Sequence, residues 1–165
     1  MLLDEFNRAD RSDAVAALRP CVDVTRWCET IVDRRPYATV DDLVGTAAEA
    51  ADPFTGEEIE SALAHHPRIG ERADGDSREA TMSRSEQTGV DPADGEIQHA
   101  LREGNRRYEE QFGRVFLIRA AGRSAHEILS ILQDRLQNDA VAEERVVAGQ
   151  LREIALLRLK GTVTA

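Results

Sequence analysis

The chain has 165 residues, enough for one domain with a real core, and its 41% apolar and 32% charged residues are typical of a globular protein. Aromatics are only 4%, so the core must be mostly aliphatic, which favours packed helices over a sheet sandwich. The net charge of −10 argues against nucleic-acid binding, and an anionic substrate would need a local cluster of positive groups. The cations are almost all arginine, with Lys160 the only lysine. That is read as genomic base composition, or as an acid-adapted surface.

Taken in chain order, helix signals dominate. The opening "MLLDEFNRAD" carries acid early and no long apolar run, so no signal peptide is expected. Ser12 is placed to cap a helix running to Arg19, before Pro20. A second helix, about Val22 to Arg34, stops before Pro36. Cys21 and Cys28 lie seven apart on it, a core spacing and not a disulfide framework. Thr39 caps a third helix, from Val40 to about Ala50. In "TGEE", Thr55 and Glu58 form a capping box whose helix ends near His65. The polar, glycine-rich "GERADGDS", 70–77, reads as a connecting loop. Ser77 caps a helix to about Gln87, and "DPAD" from Asp91 opens one to about Gln111 with a proline at its first position. "VFLI", 115–118, is at most a short extended piece. A second capping box, Ser124 with Glu127 in "SAHE", starts a helix reaching about Gln137. Asn138 caps the last helix, which ends at Gly161. No stretch approaches the roughly eighteen apolar residues of a membrane span. The expectation is a cytoplasmic, single-domain, all-α helical bundle of seven or eight helices.

Few residues stand out chemically. Ile59, Leu63 and His66 share a helix face, and Pro67 disfavours helical geometry at the residue before it, so the helix should end at about His66. A helix C-terminus raises an imidazole pKa and burial lowers it, so the ring titrates near neutrality, as a general acid or base must. The plainer alternative is a C-capping core histidine. Ser83, Glu86 and Gln87 lie at i, i+3 and i+4, able to read donors and acceptors of a polar ligand, or simply solvated. Arg158 continues the apolar stripe Val147, Leu151 and Ile154; it either meets an anion or carbonyl, or snorkels at the helix end. "AAGRS", 120–124, leads a glycine turn into a helix N-terminus, which can hold an anion through backbone donors. His65, His66, His99 and His126 have no metal-ligand spacing, so no metal is expected.

Five stretches occur in one order: "HPRIGE" (66–71), "SRSEQ" (83–87), "GNRRYEEQFGRVFLIRAAGRSAHEIL" (104–129), "RLQND" (135–139) and "LREIALLRL" (151–159). Together they resemble the 2-oxo-4-hydroxy-4-carboxy-5-ureidoimidazoline (OHCU) decarboxylases of uric acid breakdown, over nearly the whole chain. The resemblance implies an all-helical, cofactor-free, usually dimeric enzyme. It would convert OHCU to (S)-allantoin and carbon dioxide, the step after urate oxidase and the hydroxyisourate hydrolase, with which it could associate. By the same resemblance His66 is the catalytic histidine and Glu86 the essential glutamate. Pro67, Ser83, Arg84, Ser85 and Gln87 match substrate-contacting positions. So do Ile118, Arg119, Ala120, Ala121 and Gly122, this last run through its backbone. Arg158 matches the arginine that meets the substrate's carboxylate or ring carbonyl. Two positions depart from the pattern. Arg119 stands where the family has a small residue or cysteine, and Arg114 where it is often apolar or aromatic. Two competing readings are a decarboxylase or binder of a related ureide or ring carboxylate, and a non-catalytic helical interaction module.

Overall fold

A computed structural model describes residues 1–64, 66–71, 77–90 and 95–165. Among them are nine α-helices and no strand; the only bridge pairing joins Leu2 and Thr164. No helix of the described residues is long and apolar enough to cross a membrane. The chain falls into two compact units, one of Met1–Ala62 with Leu151–Ala165, the other of Leu63–Gln150.

The first unit holds α1 (Leu3–Arg8), α2 (Arg11–Leu18), α3 (Thr25–Asp33), α4 (Val40–Ala50), all but the last residue of α5 (Gly56–Leu63), and the C-terminal half of α9 (Ala140–Thr162). Helix α1 was not expected from the sequence and brings the count to nine; it is only six residues long, too short for periodicity to register. Its Phe6 is fully buried, as are Leu18, Trp27, Ile31 and Leu43. The Trp27 indole N–H donates to the Ala47 carbonyl at 2.9 Å, so the largest core side chain is also satisfied. Cys21 and Cys28 are free and buried, in line with their core spacing, and burial pushes the Cys28 thiol up to about 12.

Most starts expected from local capping hold. Thr39 accepts from the Asp42 N–H, and Thr55 with Glu58 and Ser124 with Glu127 exchange side-chain and backbone hydrogen bonds in both directions. Ser77 accepts from the Ala80 N–H. Others shift. The second helix begins at Arg11 with Asp10, not Ser12, at its cap position. The third begins at Thr25, because Val22 and Val24 are buried in a tight turn instead of a helix. For α9 the side chain that caps is Asp139, whose Oδ1 accepts from the Ala142 N–H at 2.7 Å. Asn138 acts as a donor, giving its amide to Glu143 Oε2 at 3.0 Å. The expected cap at "DPAD" falls on residues 91–94, outside the described residues, as does most of the 70–77 loop.

The second unit contains α6 (Arg78–Glu86), α7 (Gly95–Phe112), α8 (Ala125–Arg135) and the first half of α9. Its core gathers Ile97, Leu101, Tyr108, Phe116, Ile118, Ile128 and Leu132. An irregular extended run between α7 and α8 buries Phe116, Leu117 and Ile118, of which Phe116 and Ile118 join this core, which is what "VFLI" amounts to.

Candidate active site

Helix α5 ends at Leu63, so His66 lies three residues beyond it and not at its last turn. Its backbone N–H still donates to the Leu63 carbonyl at 3.1 Å, and the residue is half-buried. Pro67 explains the early stop, since the residues leading into a proline favour extended geometry. The segment that follows is fixed from three sides. Arg68 grips Glu109 on α7 through Nε at 2.6 Å and a second guanidinium nitrogen at 3.3 Å. Glu109 and Glu71 raise the Arg68 pKa further, so its charge is permanent. The buried Asn105 amide donates to the Ile69 carbonyl at 2.9 Å. The Gly70 N–H donates to Gln87 Oε1 at 3.0 Å.

That last bond joins two sequence motifs. Gln87 is the C-cap residue of α6, and Ser83 is buried one turn earlier, with Glu86 between them half-buried. Arg84 is half-buried too, its guanidinium donating to Thr81 Oγ1, whereas Ser85 is exposed. Just past Gln87, Gly89 lies so close to the next segment that a Cβ would sit 2.4 Å from the Arg123 carbonyl oxygen. Only glycine allows that approach.

Arg123 closes the turn of residues 118–123. Gly122 has φ +77°, a left-handed conformation suited to glycine. The Arg119 N–H donates to Gln150 Oε1 at 2.9 Å, and its carbonyl accepts from Arg123 Nε at 3.0 Å. Its guanidinium folds back to the Ala121 carbonyl at 2.9 Å. The Ala120 carbonyl accepts from the Arg123 N–H at 3.0 Å. No hydrogen bond among the described residues uses the N–H of Ala120, Ala121 or Gly122. The turn thus offers three backbone donors directly before the N-terminus of α8, an arrangement able to hold negative charge.

A buried ionic group stands behind this turn. Arg135 donates from Nη1 to the Leu117 carbonyl at 2.7 Å, and from Nε and Nη2 to Glu143 Oε1 at 2.8 and 2.5 Å. Tyr108 donates to the same oxygen at 2.6 Å. Burial and this carboxylate hold the Tyr108 phenol above its ordinary pKa, so it stays a donor. Phe116 lies under the guanidinium, 4.5 Å from its centroid.

The second unit therefore connects the loop after His66, the end of α6 and the 118–122 turn. The OHCU decarboxylase family model matches residues 7–160. The chain belongs to the OHCU decarboxylase family. It is similar to the 2-oxo-4-hydroxy-4-carboxy-5-ureidoimidazoline decarboxylase of Haloferax volcanii, with 26% identity over 161 residues, 96% of this chain and 94% of that one. It is also similar to the uric acid degradation bifunctional protein of Bacillus sp. strain TB-90, with 24% identity over 97% of this chain. The chain spans 32% of that protein's length. Among solved structures, an OHCU decarboxylase crystallised in the presence of (S)-allantoin shares the fold, with a TM-score of 0.73 and 21% identity over 93% of this chain and 97% of that one.

Arg158 belongs to the first unit, where it is buried and donates to the Pro20 carbonyl at 3.2 Å. The backbone of Arg119 is committed within the protein, so in this family member the run's available donors are those of Ala120–Gly122. Sequence reasoning passed over Glu143, Arg135, Tyr108 and Gln150. For Glu143 a signal existed, because Glu143, Val147, Leu151, Ile154 and Arg158 continue one stripe at spacings of 4, 4, 3 and 4.

Proposed function

We propose that His66, Glu86 and the backbone donors of the 118–122 turn carry the family reaction in this chain. That reaction is the decarboxylation of OHCU to (S)-allantoin in uric acid degradation. It can run without a cofactor because the substrate holds its own electrons. The carbon–carbon bond to the carboxylate breaks and carbon dioxide leaves. The electron pair passes into the adjacent ring imine, whose nitrogen takes up a proton. The enol so formed gives up its hydroxyl proton and becomes the ring carbonyl as the neighbouring carbon gains a proton. The face on which that last proton arrives fixes the (S) product.

The protein's tasks follow from this. His66 delivers the proton to one face. Glu86 orients the substrate's hydroxyl and ureido groups. Pro67 and the Ser83–Gln87 run hold the ring, with Gln87 offering its amide hydrogens because its oxygen already serves Gly70. The N–H groups of Ala120, Ala121 and Gly122 meet oxygen that gains charge, a preorganised role. The carry-over of Arg158 to the substrate carboxylate or ring carbonyl rests on the family resemblance. The observation that carries the reading is the Gly70–Gln87 hydrogen bond, which supports a shared site for the His-Pro loop and the S-x-x-E-Q helix end.

The test mixes urate, urate oxidase and hydroxyisourate hydrolase with this protein and follows circular dichroism. A fast (S)-allantoin signal is expected. His66→Ala should slow turnover about 10²–10⁴-fold, the usual contribution of a general acid, with the far-ultraviolet spectrum unchanged. A near-parent rate would overturn the assignment of His66. Arg158→Lys should raise KM, because the planar fork is lost while the charge remains. A homodimer, a cytoplasmic location and association with the preceding hydrolase belong to the same reading. The pathway link is supported by the similarity to a bifunctional protein of uric acid degradation. Light scattering and co-purification check them.

A further inference from the structure

The 118–122 turn can stabilise charge only if its three N–H groups are aimed before substrate arrives, and two side chains bracket the residues leading into it. On one side Arg135 holds the Leu117 carbonyl at 2.7 Å. Arg135 is itself immobilised by the buried Glu143 carboxylate and by Phe116. On the other side the half-buried Gln150, in the interior of α9, accepts the Arg119 N–H at 2.9 Å. Among the described residues this is the one hydrogen bond Gln150 side-chain atoms make. A partly buried amide that serves a single loop N–H, one residue before the first unclaimed donor, is placed to set the direction of that loop.

We propose that Gln150 is a positioning residue for the decarboxylation, acting through Arg119 on the Ala120–Gly122 donors; this rests on the functional reading above. It touches no substrate. Its oxygen fixes the peptide plane between Ile118 and Arg119, so the planes that follow enter the Gly122 turn at one angle. Without it the turn keeps its Arg135 anchor but gains freedom about the Arg119 backbone.

Three proteins test this in the coupled assay: the parent, Gln150→Leu and Gln150→Glu. Leucine fills similar volume but cannot accept a hydrogen bond. Glutamate keeps the acceptor. In Gln150→Leu, kcat should fall about 10- to 100-fold, the scale of an ångström-sized misplacement, with KM changed less. Gln150→Glu should recover most of the loss. Hydrogen exchange of a peptide covering 118–123 should quicken in Gln150→Leu alone. Parent kcat in a folded Gln150→Leu, or unchanged exchange at this peptide, would overturn the proposal. A parent that fails to turn over OHCU points instead to failure of the functional reading. A purely structural role predicts lower stability with kcat per folded molecule unchanged, and that result also counts against positioning.

Discussion

Four hydrogen bonds converge on the buried Glu143 carboxylate, and its removal gives the sharpest test of how the second unit is held. Glu143 is 2% exposed and Arg135 5%. Four donors reach the carboxylate: two nitrogens of Arg135, the Tyr108 hydroxyl and the Asn138 amide. Glu143→Leu leaves the guanidinium buried with the Leu117 carbonyl and the Phe116 and Tyr108 rings but no carboxylate. Breaking one partner of a buried pair costs about 3–5 kcal/mol, because the remaining charge loses its compensation and not because the pair was strongly favourable. Against a typical domain stability of about 5–15 kcal/mol, this brings the variant close to unfolding at 25 °C.

Arg135→Met with Glu143→Leu removes both charges and should lose less than the two single variants added together. The double variant still strands the Leu117 carbonyl and the Tyr108 hydroxyl, so a cost of about 1–3 kcal/mol for each should remain. Urea denaturation with a double-mutant cycle measures this, provided the slopes of the four proteins agree. A Glu143→Leu loss below about 1 kcal/mol, which is the scale of an exposed pair, would refute the burial argument. Strictly additive singles would refute the claim that charge compensation is what the pair supplies.

Two other perturbations separate local from long-range causes. Gly89→Ala places a Cβ against the Arg123 carbonyl, and backbone cannot swing away as a side chain can. It should cost about 1–3 kcal/mol and lower kcat/KM, whereas Gly149→Ala, with open space inside α9, should gain up to about 1 kcal/mol; thermal melts with parallel turnover decide. Glu58 is held below its ordinary carboxylate range, chiefly by its hydrogen bond to Arg26. A depressed carboxylate contributes stability above the unfolded pKa and loses it as pH falls through the lower folded value. The deficit of Glu58→Gln relative to the parent should therefore be full at pH 7 and shrink below about 4.5. A deficit that does not change between pH 7 and 3 would show that ionisation of Glu58 is not its source.

Sequence alone located what depends on neighbours in the chain. Thr39, Thr55 with Glu58, Ser77, and Ser124 with Glu127 cap the helices assigned to them, since both halves of each cap lie within three residues. It misplaced what depends on choice among equivalent partners. Asn138 and Asp139 can each cap α9, and the fold decides by giving Glu143 a use for the Asn138 amide. It could not reach contacts such as Gly70–Gln87 or Arg119–Gln150, whose partners are 17 and 31 residues apart. The family resemblance marked Gln87 as a site position, whereas Gly70 only fell inside the "HPRIGE" stretch that carries the resemblance. The reason Gln87 belongs with the His-Pro loop appears only in three dimensions.

Arg119 shows how a departure from the family pattern is absorbed. A guanidinium in place of a small side chain adds bulk and charge beside a turn argued to meet substrate. Its Nη1 returns to the Ala121 carbonyl, two residues on, so this end of the group is spent on the loop's own acceptor. Arg123 does likewise with the Arg119 carbonyl. Both arginines thus consume acceptors of the turn, while the N–H groups of Ala120, Ala121 and Gly122 stay available. In a chain of net charge −10, an anionic substrate needs such a local excess of positive potential. On the proposed reading the turn supplies it from two side chains and three peptide N–H groups. The arginine at 119 therefore adds positive charge beside N–H groups that, on the proposed reading, meet substrate oxygen.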